Sequence, residues 1–400
     1  LELKMMFTLK SMPTLKEQSK KNHDLDKQDI HIFYEARTQY GNLGDLIINK
    51  TLLERLRGYG QVVINDHGVP DWYCQELGVE LDERASFYEN GFNRLIIKSK
   101  LKSLFQLKSS KTYLFLGPGH LSDNSRYLGS RKWILYFLLL RILGVRLCRL
   151  GFSIGELSDH NQKIVKWVSR FSYFYGVRDS ISESLAHQMK MCQIQHFPDL
   201  AWLFRSGFQT AIKPSMDREY IVFSFRESAH SCDTSNAYQE NLIIVLDRVV
   251  DLVCRQWSKR LVVAYQVDRD SDFCQRLVQR YVEPYDVEFV DQKLNVQAAL
   301  ELYSNALMVF SNRLHVLLFT IMAGSLPLAV IDSNSQSKVT GIFLDAELAS
   351  LVLDIHSDSD QVMKLNILVD EMNPIKEKIE RYRENRELLG QNLLAKMMAG

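Results

Sequence analysis

The chain has 400 residues, 46% of them apolar and 24% charged, a make-up that belongs to folded globular proteins and excludes wholesale disorder. Its 49 basic and 48 acidic residues leave a formal charge of +1, without the basic excess of a dedicated nucleic-acid binder. At this length two hydrophobic cores are expected rather than one.

Residues 1–28 are Lys-rich and polar after a short apolar start, and read as a flexible N-terminal arm. From Ile30 the pattern becomes regular. Ile30–Tyr34 reads as a strand, Asn42-Leu43-Gly44-Asp45 as a turn, and Leu46 to Leu56 as an amphipathic helix. Gln61–Asn65 is the next strand, which completes a βαβ unit. The rhythm continues through Thr112–Leu116, which ends in Gly117-Pro118-Gly119, with a helix expected near Tyr127. Further strands follow at Val145–Leu150 and Tyr173–Arg178, with a helix capped by Asp179 or Ser180.

The apolar run Trp133–Leu143 has 11 residues, short of the ~20 needed to span a bilayer, and reads as a core helix. The polar stretch 205–216 marks a domain boundary. Beyond it, strands are expected at Tyr220–Phe225, Leu261–Tyr265, Val287–Val290, Leu307–Phe310 and Leu328–Ile331, with a helix over Asn241–Lys259. A charged helix spans about 373–398. The expected architecture is therefore α/β, with Rossmann-like domains at 29–205 and 217–370, parallel sheets, and a C-terminal helical segment at 371–400. Ligands of open α/β sheets bind beyond the carboxyl ends of the strands, so the cleft between the domains is where a site is sought.

The strongest local signal is Ser311-Asn312-Arg313-Leu314-His315, between a strand and an apolar helical run. Such a junction offers free backbone N–H groups and a dipole that favours an anion. Arg313 can grip a carboxylate or phosphate bidentately, and His315 can move a proton near neutral pH. The plainer alternative is a Ser cap, an exposed arginine and a hydrogen-bonded histidine. Asn42, Gly44 and Asp45 form a second candidate, for sugar hydroxyls or simply for a turn with an Asp cap. Gly117, Gly119 and His120 lie at a strand end that could line the cleft. Arg178, Arg226 and Lys338 are further candidate anion ligands; the plainer and favoured reading of Arg178 is a salt bridge, and that of Lys338, in the polar loop after Ile331, is a solvated lysine. Asp66-His67 and the pair Asp268/Asp270 read as surface or turn residues. Six scattered cysteines without a CxxC pair, and the absence of other ligand spacings, point to no metal site.

In collinear order from about residue 38 to 345, these segments resemble the polysaccharide pyruvyl transferase family. The matching pieces are Asn42–Asp45, Gly117-Pro118-Gly119, Gly151–Gly155, Val177–Ser180, Pro198-Asp199, Ser311–His315, Pro327 and Lys338. Where that family usually has a small or aromatic residue between Arg and His, this chain has Leu314. The resemblance implies a GT-B-like fold, with an acceptor-side first domain and a donor-side second one. It also implies transfer of pyruvate from phosphoenolpyruvate to a hexose diol, giving a cyclic ketal and phosphate. Arg313 and His315 are then the catalytic pair, and Asn42, Gly44, Asp45, Gly117, Gly119, His120, Arg178, Arg226, Leu314 and Lys338 line the substrates.

No cofactor, metal or nucleic acid is implied. The chain is similar in style to the fungal branch, which implies terminal galactose of a cell-surface glycan as acceptor and a Golgi lumen reached through an anchor upstream of Leu1. A bacterial origin implies the cytoplasm. The sequon Asn49-Lys50-Thr51 falls inside the expected first helix and carries little weight. Two alternatives share the fold, namely a GT-B glycosyltransferase using a nucleotide sugar and a non-catalytic glycan- or anion-binding module.

Overall fold

The computed structural model describes residues 30–88, 91–105, 110–205, 218–228, 236–357 and 361–400. The expected arm at 1–28 and nearly all of the boundary stretch lie outside those residues.

Runs rich in β-branched and aromatic residues form the first sheet: β1 Ile30–Glu35, β2 Gln61–Asn65, β3 Lys111–Leu116, β4 Gly119–Leu121, β5 Val145–Ile154, β6 Ser172–Val177 and β7 Ile194–His196. Their order is β2-β1-β3-β5-β6-β7, with β4 also on β5, and every pairing is parallel. The crossovers are helices: α1 Leu43–Arg57, α2 Asp71–Glu76, α3 Phe92–Phe105, α4 Lys132–Ile142, α5 Asp159–Phe171 and α6 Ser180–Gln188. Strand order reverses between β1 and β3, which opens a crevice at their carboxyl ends.

The second sheet repeats the design with β8 Tyr220–Ser224, β9 Arg260–Val263, β10 Val287–Phe289, β11 Met308–Ser311, β12 Leu326–Ile331 and β13 Val352–Asp354. Its order β10-β9-β8-β11-β12-β13 is again wholly parallel, with the reversal between β8 and β11. Its helices are α7 Asn236–Val250, α8 Ser271–Tyr281, α9 Val296–Ser304, α10 Leu314–Met322, α11 Ser337–Asp345 and α12 Gln361–Asp370. Strands β11 and β12 are buried along their whole length, which explains their unbroken apolar runs.

The last helix, α13 Met372–Ala399, returns to the first sheet. Glu387 on it accepts from Arg55 at 3.1 Å and from Arg205 at 2.6 Å, and Tyr113 donates to the carbonyls of Met397 and Met398. Arg146 donates to the Gly400 carbonyl at 2.6 Å, placing a cation where the helix dipole is negative. Because α13 continues from the second half and packs on the first, it straps the two together.

The expected α/β class with two parallel sheets is borne out. Several details differ. The helix expected near Tyr127 begins at Lys132, and β5 runs on to Ile154. The Asn241–Lys259 segment is α7 followed by a π turn at Asp251–Gln256. Strands β4, β7 and β13 have three residues each, too short to show alternation. The sequon is structural, since the buried Asn49 side chain accepts from Tyr34 at 2.6 Å and donates to the Asp45 carbonyl at 2.7 Å.

Candidate functional site

In the second half, successive strand ends each deliver a charged group. Arg226 follows β8, Asp270 closes the 3-10 turn after β9, Arg313 follows β11, and Lys338 lies in the first turn of α11 after β12. The crevice between β8 and β11 is stapled by Asn312. Its side chain accepts from the Arg226 N–H at 3.0 Å and donates to the Arg226 carbonyl at 2.7 Å and to the Tyr238 hydroxyl at 3.0 Å. Gln336 extends the network, accepting from Tyr238 at 3.0 Å and donating to the Asn312 carbonyl at 3.1 Å. The loops bearing Arg226, Arg313 and Lys338 are therefore fixed to one another by buried neutral groups.

Arg313 is the N-terminal residue flanking α10, with no side-chain cap there. Ser311 does not cap the helix; it donates to the Ser224 carbonyl at 2.5 Å and accepts from the Arg313 N–H at 3.0 Å. The Arg313 side chain is 12% exposed and paired with the buried Asp270 carboxylate. The surface or turn role expected for Asp270 is thus corrected, because this carboxylate holds Arg313 in place. Burial raises the Asp270 pKa against the pull of Arg313. The Arg313 Nε is buried without a hydrogen-bond partner among the described residues, and so is His315 Nε2. The exposed arginine and satisfied histidine of the plainer alternative are not what the fold builds. Leu314, expected among the substrate contacts, is instead 8% exposed and packed in the core.

The first half faces this crevice with its own strand ends. Asn42 caps α1 by accepting from the Gly44 N–H at 3.0 Å, so the cap is Asn42 rather than Asp45. The Asp45 carboxylate accepts from Thr38 at 2.7 Å and from the Gln39 N–H at 3.3 Å, closing the loop after β1. Gly44 leaves room for His315, since a Cβ there would stand 2.0 Å from the imidazole Nδ1. Gly117 turns toward β1, where a Cβ would meet the Glu35 carbonyl at 3.1 Å, and its own carbonyl accepts from Arg149. Gly119 has a φ of +98°, a backbone conformation that L side chains rarely adopt.

Arg178 lies just beyond β6. It donates to Ser153 at 2.7 Å and to Asp199 at 2.6 Å, an ion pair whose side chains are 3% and 1% exposed. Asp199 was legible only as part of the Pro198-Asp199 match. The next residue, Asp179, caps α6 as expected, accepting from the Ser182 N–H. The His120 ring lies against Gly155, where a Cβ would fall 2.4 Å from it.

These groups act on one another electrostatically. Burial lowers the His315 pKa; Asp199 and Asp45 oppose that shift while Arg178 and Lys338 add to it. Burial, then Arg178 and Arg226, pull Lys338 down to about 7. Burial with Lys338, Arg178 and Arg149 depresses His120 to about 2, and burial with Arg313 lowers Arg226 to about 10. Residues from both halves therefore share one region, in which the cations Arg178, Arg226, Arg313 and Lys338 stand among the carboxylates of Asp45, Asp179, Asp199 and Asp270. Among the described residues no group of three His, Cys, Asp or Glu could hold a metal ion, and no helix is long and apolar enough to cross a membrane.

A glycosyltransferase from Rickettsia africae shares the fold, at 9% identity and a TM-score of 0.57, over 93% of this chain and 98% of that one. The UDP-GlcNAc 2-epimerase of Neisseria meningitidis, solved with UDP-GlcNAc, gives 10% and 0.53 over 93% and 99%. The corresponding epimerase of Methanocaldococcus jannaschii gives 10% and 0.51 over 93% and 100%. Identities this low establish the GT-B-like fold alone. No curated protein matches the sequence. The sequence match to the polysaccharide pyruvyl transferase family is of another kind. It spans residues 42–324, from the cap of α1 to the end of the helix carrying His315, and on that extent the chain belongs to this family of transferases.

Proposed function

We propose that the chain transfers the pyruvyl group of phosphoenolpyruvate to two hydroxyls of one hexose, making a cyclic ketal and releasing phosphate. The observation that carries this reading is the gathering of buried cations at these strand ends, Arg226 and Lys338 with Arg313 aimed by Asp270, in the same region as the unpartnered nitrogen of His315. A small ligand with about three negative charges is costly to desolvate, and fixed cations already stripped of water offset that cost. Arg313 and Arg226 take the carboxylate and phosphate, and Lys338 adds charge where negative character grows as phosphate departs.

His315 handles the protons. Its lowered pKa keeps the ring neutral, fit to accept the proton of the attacking hydroxyl. The C2–O bond to the sugar forms as the C=C electron pair takes up, at the methylene carbon, the proton that His315 has removed from the hydroxyl. Phosphate then leaves an oxocarbenium-like C2, which the second hydroxyl attacks as its proton goes to phosphate. Terminal galactose is the acceptor we propose first, on the sequence resemblance alone.

The test has two arms. Thermal unfolding with phosphoenolpyruvate, UDP and GDP should show stabilisation by the first only; stabilisation by a nucleotide instead favours a nucleotide-sugar enzyme. Incubation with phosphoenolpyruvate and a panel of galactosides, glucosides and mannosides should release phosphate and give the mass of a pyruvate ketal. Binding without turnover on any sugar would leave an anion-binding module.

A further inference from the structure

Helix α4 is apolar on both sides. Phe137 and Leu140 face inward at 1% and 0% exposure, yet Leu135, Leu138, Leu139 and Ile142 are 69%, 36%, 44% and 72% exposed. Their spacing of three, one and three residues makes a continuous stripe along the outside of the helix. Helix α3 lies alongside, sharing the inner core through Phe92 and Ile96 and joined by a 2.9 Å hydrogen bond from Tyr136 to Asn93. Leu101 and Phe105 on α3 are likewise 37% and 84% exposed. Isolated exposed leucines need no explanation, but a stripe of this kind does.

Charge on these helices has one sign. Together α3 and α4 carry six Lys or Arg and no Asp or Glu. Arg131, Lys132 and Arg141 are exposed at the two ends of the stripe, and Lys102 is exposed on α3. We infer that this face docks on the surface of an anionic lipid bilayer, its leucines entering the headgroup boundary and its basic rim meeting the lipid charge. Apolar side chains on one face of a helix edged by Lys and Arg are the physical requirement for lying in a bilayer surface. A second copy of the chain fits less well. A two-fold interface sets a patch against itself, and here that brings the basic rims together with no carboxylate on either helix to offset them.

The experiment is co-sedimentation of the 400-residue chain with vesicles of phosphatidylcholine alone or with 30 mol% phosphatidylglycerol (on the order of a typical anionic content). Binding is expected only to the anionic vesicles and should fall as salt rises. Leu135→Ser with Ile142→Ser should weaken partitioning at least about tenfold, or ~1.4 kcal/mol. Lys102→Gln with Arg141→Gln should flatten the salt dependence. None of these exposed residues touches the groove, so phosphate release in solution should stay unchanged and certify the fold. Equal binding to neutral vesicles overturns the charge argument. No vesicle binding, with a dimer that the serine variant dissociates, overturns the proposal in favour of self-association.

Discussion

The imidazole of His315, from the second half of the molecule, rests on the backbone of Gly44 from the first. A methyl group at Gly44 would sit 2.0 Å from His315 Nδ1 and 2.4 Å from its Cβ. The contact places the histidine against the first turn of α1 and fixes how closely the two halves approach. Gly44→Ala should be neutral or favourable for the helix itself, where alanine is preferred by about 1 kcal/mol. It must nevertheless displace the ring or part the halves. A misplacement of about 1 Å at a reacting group costs on the order of a hundredfold in rate. Turnover should therefore collapse, with a smaller loss of stability of about 1–3 kcal/mol from the overpacking. Undiminished turnover in the alanine variant would falsify the role given to this contact.

Asp270 should separate placement from charge. Its carboxylate holds Arg313, and the two side chains are 5% and 12% exposed. Asp270→Ala leaves a largely buried guanidinium without its partner, a change worth about 3–5 kcal/mol for buried pairs, with this partly accessible pair at the low end. Asp270→Asn keeps an acceptor and should lose less stability. Both should raise the KM for the anionic donor more than they lower kcat, because Arg313 loses its aim rather than its charge. An equal fall in kcat and kcat/KM with KM unchanged would instead assign Asp270 to the reaction step.

What the sequence disclosed follows from what each signal is made of. Apolar strand runs such as those of β3 and β12 announce themselves, and so does the strand-to-helix corner at Ser311–His315. Asp270 was read as a turn residue because its partner, Arg313, is 43 residues away and no spacing rule links them. Asn312 looked like part of a motif, yet its work is to bridge Arg226 and Tyr238, 86 and 74 residues distant. Gly44 reads in the sequence as part of a sugar-binding or turn motif, and what approaches it is His315 of the other half. Pairings within one element were legible, whereas pairings across the groove needed the fold.

Closure of the groove has a second contact. Asp345, at the end of α11 in the second half, accepts from the Ser180 N–H at 2.8 Å and from the Ser180 hydroxyl at 2.6 Å, at the start of α6 in the first. The site is exposed and α6 keeps its own cap in Asp179, so Asp345→Ala should cost no more than about 1 kcal/mol of stability. Loss of this contact loosens the hold of one half on the other, and on the proposed reading residues of both halves bind the donor. KM should rise several-fold with kcat nearly intact, the pattern of lost uniform binding. A fall in kcat at constant KM would mean that opening the groove, not closing it, depends on Asp345.

Lys338 gives the proposed activity a pH dependence whose sign can be worked out. Burial and the neighbouring Arg178 and Arg226 pull its pKa from 10.5 to about 7. Between those values the unfolded chain binds a proton that the folded one does not, so this group's contribution makes stability rise with pH across that window. Donor capture runs the other way, because only the protonated lysine attracts an anion. The kcat/KM for phosphoenolpyruvate reports the free enzyme, and it should decline as pH rises through about 7. Lys338→Arg keeps a charge that does not titrate in this range, so the decline should move or vanish even if the level of activity falls. Lys338→Met should lower kcat/KM most below about pH 7, where the parent lysine is charged, and make stability less dependent on pH between neutral and alkaline conditions. If the arginine variant declines with the same midpoint as the parent, the limb belongs to another group, and Lys338 is not the residue whose charge captures the donor.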